Sequence, residues 1–332
     1  MSRLPPRRLS VAPMLDWTDR HFRYMARQIT ENAWLYSEMI NAGAIIYGDK
    51  DRFLMFNEGE QPVALQLGGS EPADLAKAAK AAEEYGYNEI NLNCGCPSPR
   101  VQKGAFGACL MNEVGLVADC LNAMQDAVDI PVTVKHRIGV DRQTEYGVAA
   151  EFVGTLYEKT ACRTFIVHAR NAWLDGLSPK ENREVPPLKY DYVYRLKQDF
   201  PELEIIINGG ITTNEQISEH LKHVDGVMVG REAYHNPMIM RDWDRLFYGE
   251  SSPPVEYADL VLKLYEYSRA QIQAGRGTIL RHIVRHSLGL MHELKNARTW
   301  RRMLSDAALL KDNDGSLILD AWREVEKANI WE

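Results

Sequence analysis

Eight short apolar runs, the amphipathic stretches between them and a strand-free tail predict a (β/α)8 TIM barrel followed by a small all-helical C-terminal domain. The runs are Leu9–Leu15, Ala33–Met39, Val63–Gly69, Glu89–Gly95, Val132–Gly139, Thr164–Arg170, Glu204–Gly210 and Gly226–Glu232. They are rich in Val and Ile and nearly continuous, as strands of a parallel sheet buried on both faces must be. Eight such units in roughly 240 residues match the usual size of this barrel. An open doubly wound sheet is the alternative, but no G-x-G-x-x-G follows the first run.

The elements between the runs read as helices. In 71–86, Glu71 and Asp74 suit a helix start, Ala and Lys propagate it, and Gly86 ends it. The segments 145–160 and 213–223 read likewise, the second capped by Thr213 or Asn214. Ser, Pro and Gly cluster over 247–257 and mark a boundary. Beyond it, 258–273, 278–294 and 317–329 read as helices. The expected domains are therefore a barrel over 1–247 and a helical domain over 257–332.

The chain has 332 residues, 45% of them hydrophobic, with a net charge of −7 and a pI near 5.8. That average argues against bulk attraction to nucleic acid but hides local patches. There are five cysteines, no secretory pattern at the start and no apolar stretch of membrane length. The expectation is a cytoplasmic protein with reduced thiols.

Barrel chemistry sits at the C-terminal strand ends. Those ends carry Pro13-Met14-Leu15, Gln66, Asn91 and Asn93, Lys135 and Arg137, His168 and Arg170, Asn208-Gly209-Gly210, and Gly230-Arg231. Polar groups in apolar strands need partners, and singly each could be a satisfied core residue. Their convergence on one rim suggests a site. Gly209-Gly210 and Gly230-Arg231 suit the phosphate position that barrels build after strands seven and eight. A phosphate-bearing cofactor follows.

Cys94 and Cys96 flank Gly95 at the end of the fourth run. Two thiols are half a zinc site, and no further ligand pair with zinc spacing lies nearby, so no metal is expected. A disulfide between residues so close would be strained. A nucleophilic thiol and a proton-donating thiol both remain open. Strand parity places the two on the same side, although Gly95 and Pro97 put Cys96 in the loop.

Residues 275–303 hold Arg276, Arg281, Arg285, Lys295, Arg298, Arg301 and Arg302 against one acid, Glu293, with His282, His286 and His292 as further donors. Such asymmetry points to a polyanion. Arg298 and Arg301 are three apart, on one helix face. Lys180 and Arg183 repeat that spacing after the sixth run.

Together, "APMLDWTD", "NLNCGCPSPRVQKGAFGACLM", "VKHRIG", "VHAR", "INGGI" and "VMVGREAYHNP" resemble the tRNA-dihydrouridine synthases. "HARNAWLDGLSPKENREVPPLKYDYVYRLK" and "NARTWRRMLSD" are most similar to the A-type bacterial branch. The resemblance covers nearly the whole chain. It implies reduction of uridine to 5,6-dihydrouridine at positions 20 and 20a of the tRNA D-loop, with FMN as cofactor and NADPH as reductant. It implies Pro13, Met14 and Leu15 along the flavin ring, Gln66 and Lys135 bonded to it, and His168 beside cofactor and base. Asn208, Gly209, Gly210, Gly230 and Arg231 would cradle the phosphate. Cys96 matches the family's proton donor to C5, opposite hydride delivery to C6, and Asn93 would contact the base. Lys180, Arg183, Arg298 and Arg301 would grip the tRNA. The family usually carries another residue at Cys94, which marks that thiol as dispensable. The protein is expected to act as a monomer, with no membrane and no metal. A barrel reducing a free pyrimidine, a non-catalytic RNA binder and a Schiff-base aldolase using Lys135 are the rival readings.

Overall fold

The computed structural model describes residues 4–329. Eight parallel strands close a barrel in sequence order: β1 (Leu9–Val11), β2 (Trp34–Asn41), β3 (Val63–Gly68), β4 (Glu89–Cys94), β5 (Val132–Arg137), β6 (Thr164–His168), β7 (Glu204–Asn208) and β8 (Gly226–Val229). β1 pairs with both β2 and β8, so no edge is left open. Every expected run is a strand, and helices fill the crossovers, among them Pro72–Glu84, Val114–Ala127, Tyr146–Lys159 and Tyr190–Asp199. Thr213 caps the helix Asn214–His220 through a reciprocal box with Gln216.

Two expectations need correction. The first strand ends at Val11 rather than Leu15. The Ala12 amide still donates to the Val229 carbonyl at 2.8 Å, but Pro13 has no N–H to continue the ladder. Asp16 then turns left-handed at φ 66°. The helix read over 278–294 is only Leu280–Val284, followed by turns. Gly289 lies against the His235 carbonyl, where a Cβ would come within 2.2 Å, so the backbone leaves helical geometry to make that approach.

The barrel interior has two halves. Ala12, Trp34, Tyr36, Ala64, Ile166, Ile206 and Met228 form its apolar packing. Glu89, Asn91, Gln66 and Thr133, all at most 1% exposed, fill the side lined by β3, β4 and β5. The registers Gln66 to Asn91 and Asn91 to Thr133 place three of them in one layer.

The chain divides into two compact units. The first holds the residues up to Asp16 and Ala33–Gly230, which is the barrel. The second joins Trp17–Asn32 to the residues from Arg231 onward. Its helices include Arg20–Ile29, Tyr257–Gln273, Ala297–Ser305 and Ser316–Asn329. Among the described residues, no helix is long and apolar enough to cross a membrane.

Candidate active site at the barrel mouth

Strand alternation sorts the polar residues. On β4, Glu89, Asn91 and Asn93 share one side and Ile90, Leu92 and Cys94 the other. On β5, Thr133, Lys135 and Arg137 share a side. The register sets Asn93 opposite Lys135, Arg137 opposite His168, and His168 opposite Asn208. Gln66, Asn93, Lys135, His168 and Asn208 therefore meet at the C-terminal ends of adjoining strands.

The two cysteines separate completely. Cys94 is fully buried, and burial raises its thiol well above the ordinary range, with Cys120, Cys109 and Cys162 nearby adding to the rise. It faces the layer of outer helices. Cys96 lies beyond the strand and is half-buried. Its position is set by Asn93, whose Oδ1 accepts from the amides of Gly95 at 3.1 Å and Cys96 at 3.0 Å. The Cys96 carbonyl in turn accepts from the Ala108 amide at 2.9 Å. Gly107, left-handed at φ 78°, makes this approach, since a Cβ there would stand 2.6 Å from the same carbonyl oxygen.

Lys135 is half-buried, and among the described residues its ammonium has no hydrogen-bond or ion-pair partner. Burial lowers it from 10.5 to about 7, with Arg137 lowering it further and Cys96 opposing. His168 is 9% exposed, and its Nδ1 has no partner. Burial holds the imidazole well below its ordinary value, and the positive charges of Arg137, Lys135, Arg170 and Arg183 push the same way. The ring is neutral near pH 7, in an electropositive mouth.

Gly209 and Gly210 turn left-handed after β7, at φ 121° and 71°. A Cβ on Gly210 would come 2.7 Å from Leu188 Cδ1. The Tyr190 hydroxyl donates to the Gly209 carbonyl at 2.7 Å, and Asn208 Nδ2 donates to the Met228 carbonyl at 2.8 Å, tying β7 to β8. At Gly230 a Cβ would find nothing closer than 3.8 Å, so the missing side chain leaves open room beside Ala12 and Met14. Pro13 and Met14 are half-buried and Leu15 is exposed.

Arg137 is a residue that sequence reasoning placed on the rim without a role. It is 5% exposed. Its Nε donates to the Gly95 carbonyl at 3.2 Å, and its Nη1 to the carbonyls of Asn171 at 3.1 Å and Asn182 at 2.9 Å. Burial lowers it to about 9. Gln102 makes a second bridge, with Nε2 donating at 2.9 Å to both Pro97 and Leu174 carbonyls. Asn182, fully buried, closes the loop by accepting from the Trp173 amide at 2.7 Å and donating to its carbonyl at 2.8 Å. The loop after β6, with exposed Lys180, Arg183 and Trp173, is thus fastened to the Cys96 segment. The shared parity of Lys135 and Arg137 was the available signal.

Arg231, Arg298 and Arg301 belong to the second unit. Arg231 is half-buried at the start of the short helix Arg231–His235. Arg298 and Arg301 are exposed on Ala297–Ser305, which is anchored by buried Trp300 donating to the Ser287 carbonyl at 2.8 Å. Arg302 is exposed there too. The basic segment is less available than its count implies. Arg285 donates to Asp19 Oδ2 at 2.9 Å, and His286, 1% exposed, lies between Asp19 Oδ2 at 3.0 Å and the Tyr234 hydroxyl at 3.1 Å. Among the described residues no cluster of three or more His, Cys, Asp or Glu is arranged to hold a metal ion.

A closed (β/α)8 barrel with amides, one accessible thiol and several cations gathered at its mouth is an enzyme scaffold. Comparison with known proteins is specific. The family model described as "Dihydrouridine synthase (Dus)" matches residues 10–326. A tRNA-dihydrouridine(20/20a) synthase of Vibrio parahaemolyticus is 53% identical over 320 residues, covering 96% of this chain and 97% of that one. Proteins of the same description from Yersinia pestis and Escherichia coli K12 are 57% and 56% identical, over 92% and 91% of this chain and 87% and 86% of theirs. The chain belongs to the dihydrouridine synthase family.

Solved structures show the same fold at low identity. Morphinone reductase has a TM-score of 0.51 at 12% identity, covering 76% of this chain and 88% of that one. A 2-naphthoyl-CoA reductase has a TM-score of 0.54 at 10% identity, and the match spans 71% of this chain and about half, 49%, of that one.

Proposed function

We propose that this protein reduces uridine to 5,6-dihydrouridine at positions 20 and 20a of the tRNA D-loop, with FMN as resident cofactor and NADPH as its reductant. The observation that carries this reading is the Cys96 segment: a thiol held by Asn93 at the mouth, beside unpartnered Lys135 and the orphaned Nδ1 of His168. Relatives at 53–57% identity over most of the chain support the substrate.

The residues fit FMN. Among the described residues the half-buried Lys135 ammonium and the buried His168 Nδ1 have no partner, and Gly209, Gly210 and Gly230 leave bare backbone at the phosphate position of barrels. Asn208, Gly209, Gly210, Gly230 and Arg231 would hold the phosphate. Pro13, Met14 and Leu15 would lie along the ring, Gln66 and Lys135 would hydrogen-bond it, and His168 would border both ring and base. Bound and reduced, FMN supplies the hydride for C6 of the uracil.

The chain's own residues do the rest. Asn93 meets the base. Cys96 gives its Sγ proton to C5, so one hydride and one proton account for the two hydrogens added. Lys135, once a negative partner is present, regains its proton and offsets that charge. Lys180 and Arg183 grip the tRNA from the barrel, as Arg298 and Arg301 do from the helical part, with 1–247 as catalytic barrel and 257–332 as tRNA-binding domain. The uridine leaves its stack to enter the mouth. The enzyme works as a cytoplasmic monomer.

The test maps dihydrouridine in tRNA from cells lacking the gene, complemented with wild type or Cys96→Ala. Loss at 20 and 20a, restored by wild type alone, is expected. A Cys96→Ala protein that restores both positions fully refutes the role of Cys96, and retention of both positions without the gene refutes the substrate.

A further inference from the structure

Beneath the mouth runs a hydrogen-bond chain of fixed direction. Thr133 Oγ1 donates to Glu89 Oε1 at 2.6 Å. Asn91 Nδ2 donates to Thr133 Oγ1 at 2.8 Å, and Gln66 Nε2 donates to Asn91 Oδ1 at 2.8 Å. Asn93 Nδ2 donates to Gln66 Oε1 at 2.8 Å. The amides of Gly95 and Cys96 then donate to Asn93 Oδ1. At the barrel floor, Glu89 is fully buried and held by Arg7 Nε at 2.5 Å and the Tyr36 hydroxyl at 2.7 Å.

Both ends of this chain dictate its polarity. A carboxylate accepts only, and a backbone N–H donates only. Between them, each of three side-chain amides must present oxygen upward and nitrogen downward in the chain. Turning any one over sets oxygen against oxygen or nitrogen against nitrogen at both its links. Glu89, Thr133, Asn91, Gln66 and Asn93 are at most 8% exposed, so water cannot repair a wrong orientation.

We propose that Glu89, Thr133 and Asn91 are positioning residues that lock the orientation of Gln66 and, through it, of Asn93 at the mouth. The Asn93 oxygen already accepts two backbone amides, so its remaining capacity toward a ligand is an N–H. The same lock holds the Cys96 backbone. Where the base is the one proposed above, a donor-only Asn93 donates to a carbonyl edge, as in uracil, and repels the exocyclic amino group of cytosine. This last clause rests on that functional reading; the lock itself does not.

The experiment follows the side-chain NH2 signals of Gln66, Asn91 and Asn93 by two-dimensional NMR in the full-length protein, together with kinetics on tRNA transcripts. Thr133→Val removes the link to Glu89 while keeping the shape, and Thr133→Ser restores it. The expected result is that all three amides shift in the Val variant and return in the Ser variant. kcat should fall roughly tenfold, the factor of one lost hydrogen bond to a charged group, with KM for tRNA little changed. Asn93→Asp perturbs the chain from the top. An acceptor-only residue there removes the donor to Gln66 Oε1 and should move the Gln66 signal, while Thr133 and Glu89 keep Asn91 in its orientation. A shift confined to Asn91 in Thr133→Val, or a Gln66 signal unmoved in Asn93→Asp, overturns the proposal. Wild-type failure to reduce uridine in tRNA would refute the functional reading while the amide signals still decide the lock.

Discussion

Lys135 carries a cost that can be measured without any substrate. Its ammonium is half-buried, has no partner among the described residues, and falls from 10.5 to about 7 through burial and then Arg137. Lys135→Met keeps the stem and removes the charge. Below pH 7 the wild type must hold a charged, unpaired ammonium in the barrel, and the variant does not. The difference of about 3.5 units at ~1.36 kcal/mol each gives a ceiling of roughly 4–5 kcal/mol in favour of the variant, reduced by the solvent contact the half-buried group keeps. The sign reverses the usual lysine case. Between pH 7 and 10.5 the unfolded chain binds a proton that the folded chain lacks, so wild-type stability climbs with pH and the gap closes. Urea unfolding of cofactor-free wild type and variant at pH 6.5, 8.5 and 10 reads this directly. Parallel stabilities at all three pH values would refute the assignment of an unpaired, half-buried ammonium. A polar group that costs stability is what a functional site retains.

Other perturbations separate the parts. Cys94→Ala should cost about 1 kcal/mol from a small cavity in the outer layer and leave kcat within twofold; a collapse like that expected of Cys96→Ala would mean the wrong thiol has been chosen. Gly210→Ala adds a Cβ 2.7 Å from Leu188 at φ 71°, and should weaken FMN binding at least tenfold and lower stability by about 1–2 kcal/mol, measured by flavin fluorescence and thermal unfolding. Arg298→Ala and Arg301→Ala should each reduce the salt slope of tRNA binding by about 1, whereas Arg285→Ala, whose guanidinium is engaged with Asp19, should leave the slope unchanged.

The barrel was legible because each strand is a nearly continuous apolar run, and a parallel, doubly covered sheet allows little else. The rim was legible because Gln66, Asn93, Lys135 and His168 interrupt those runs at matching places. The roles of Arg137, Gln102 and Asn182 were not, since their bonds join Gly95, Pro97, Leu174 and Asn171 across loops distant in sequence. Periodicity also misread 278–294, where the apolar spacing persists through Gly289 although the backbone has already turned to meet His235. Counting charges overstated the basic segment, because a sequence does not show that Asp19 takes up Arg285 and His286.

That Asp19 interaction has a consequence in time. Trp17–Asn32 is made early, yet its unit is completed only by residues from Arg231 onward. Asp19 waits for His286, Thr30 and Asn32 wait for Asp244, and His21 for Tyr267. At ~5–20 residues per second, ribosomal synthesis imposes a delay on the order of 10–40 s between the two pieces. A fragment starting at residue 257 lacks both the early segment and Asp244, so His286 loses Asp19 and Tyr267 loses His21. The early segment, for its part, must stay soluble during synthesis with Phe22, Met25 and Ile29 uncovered.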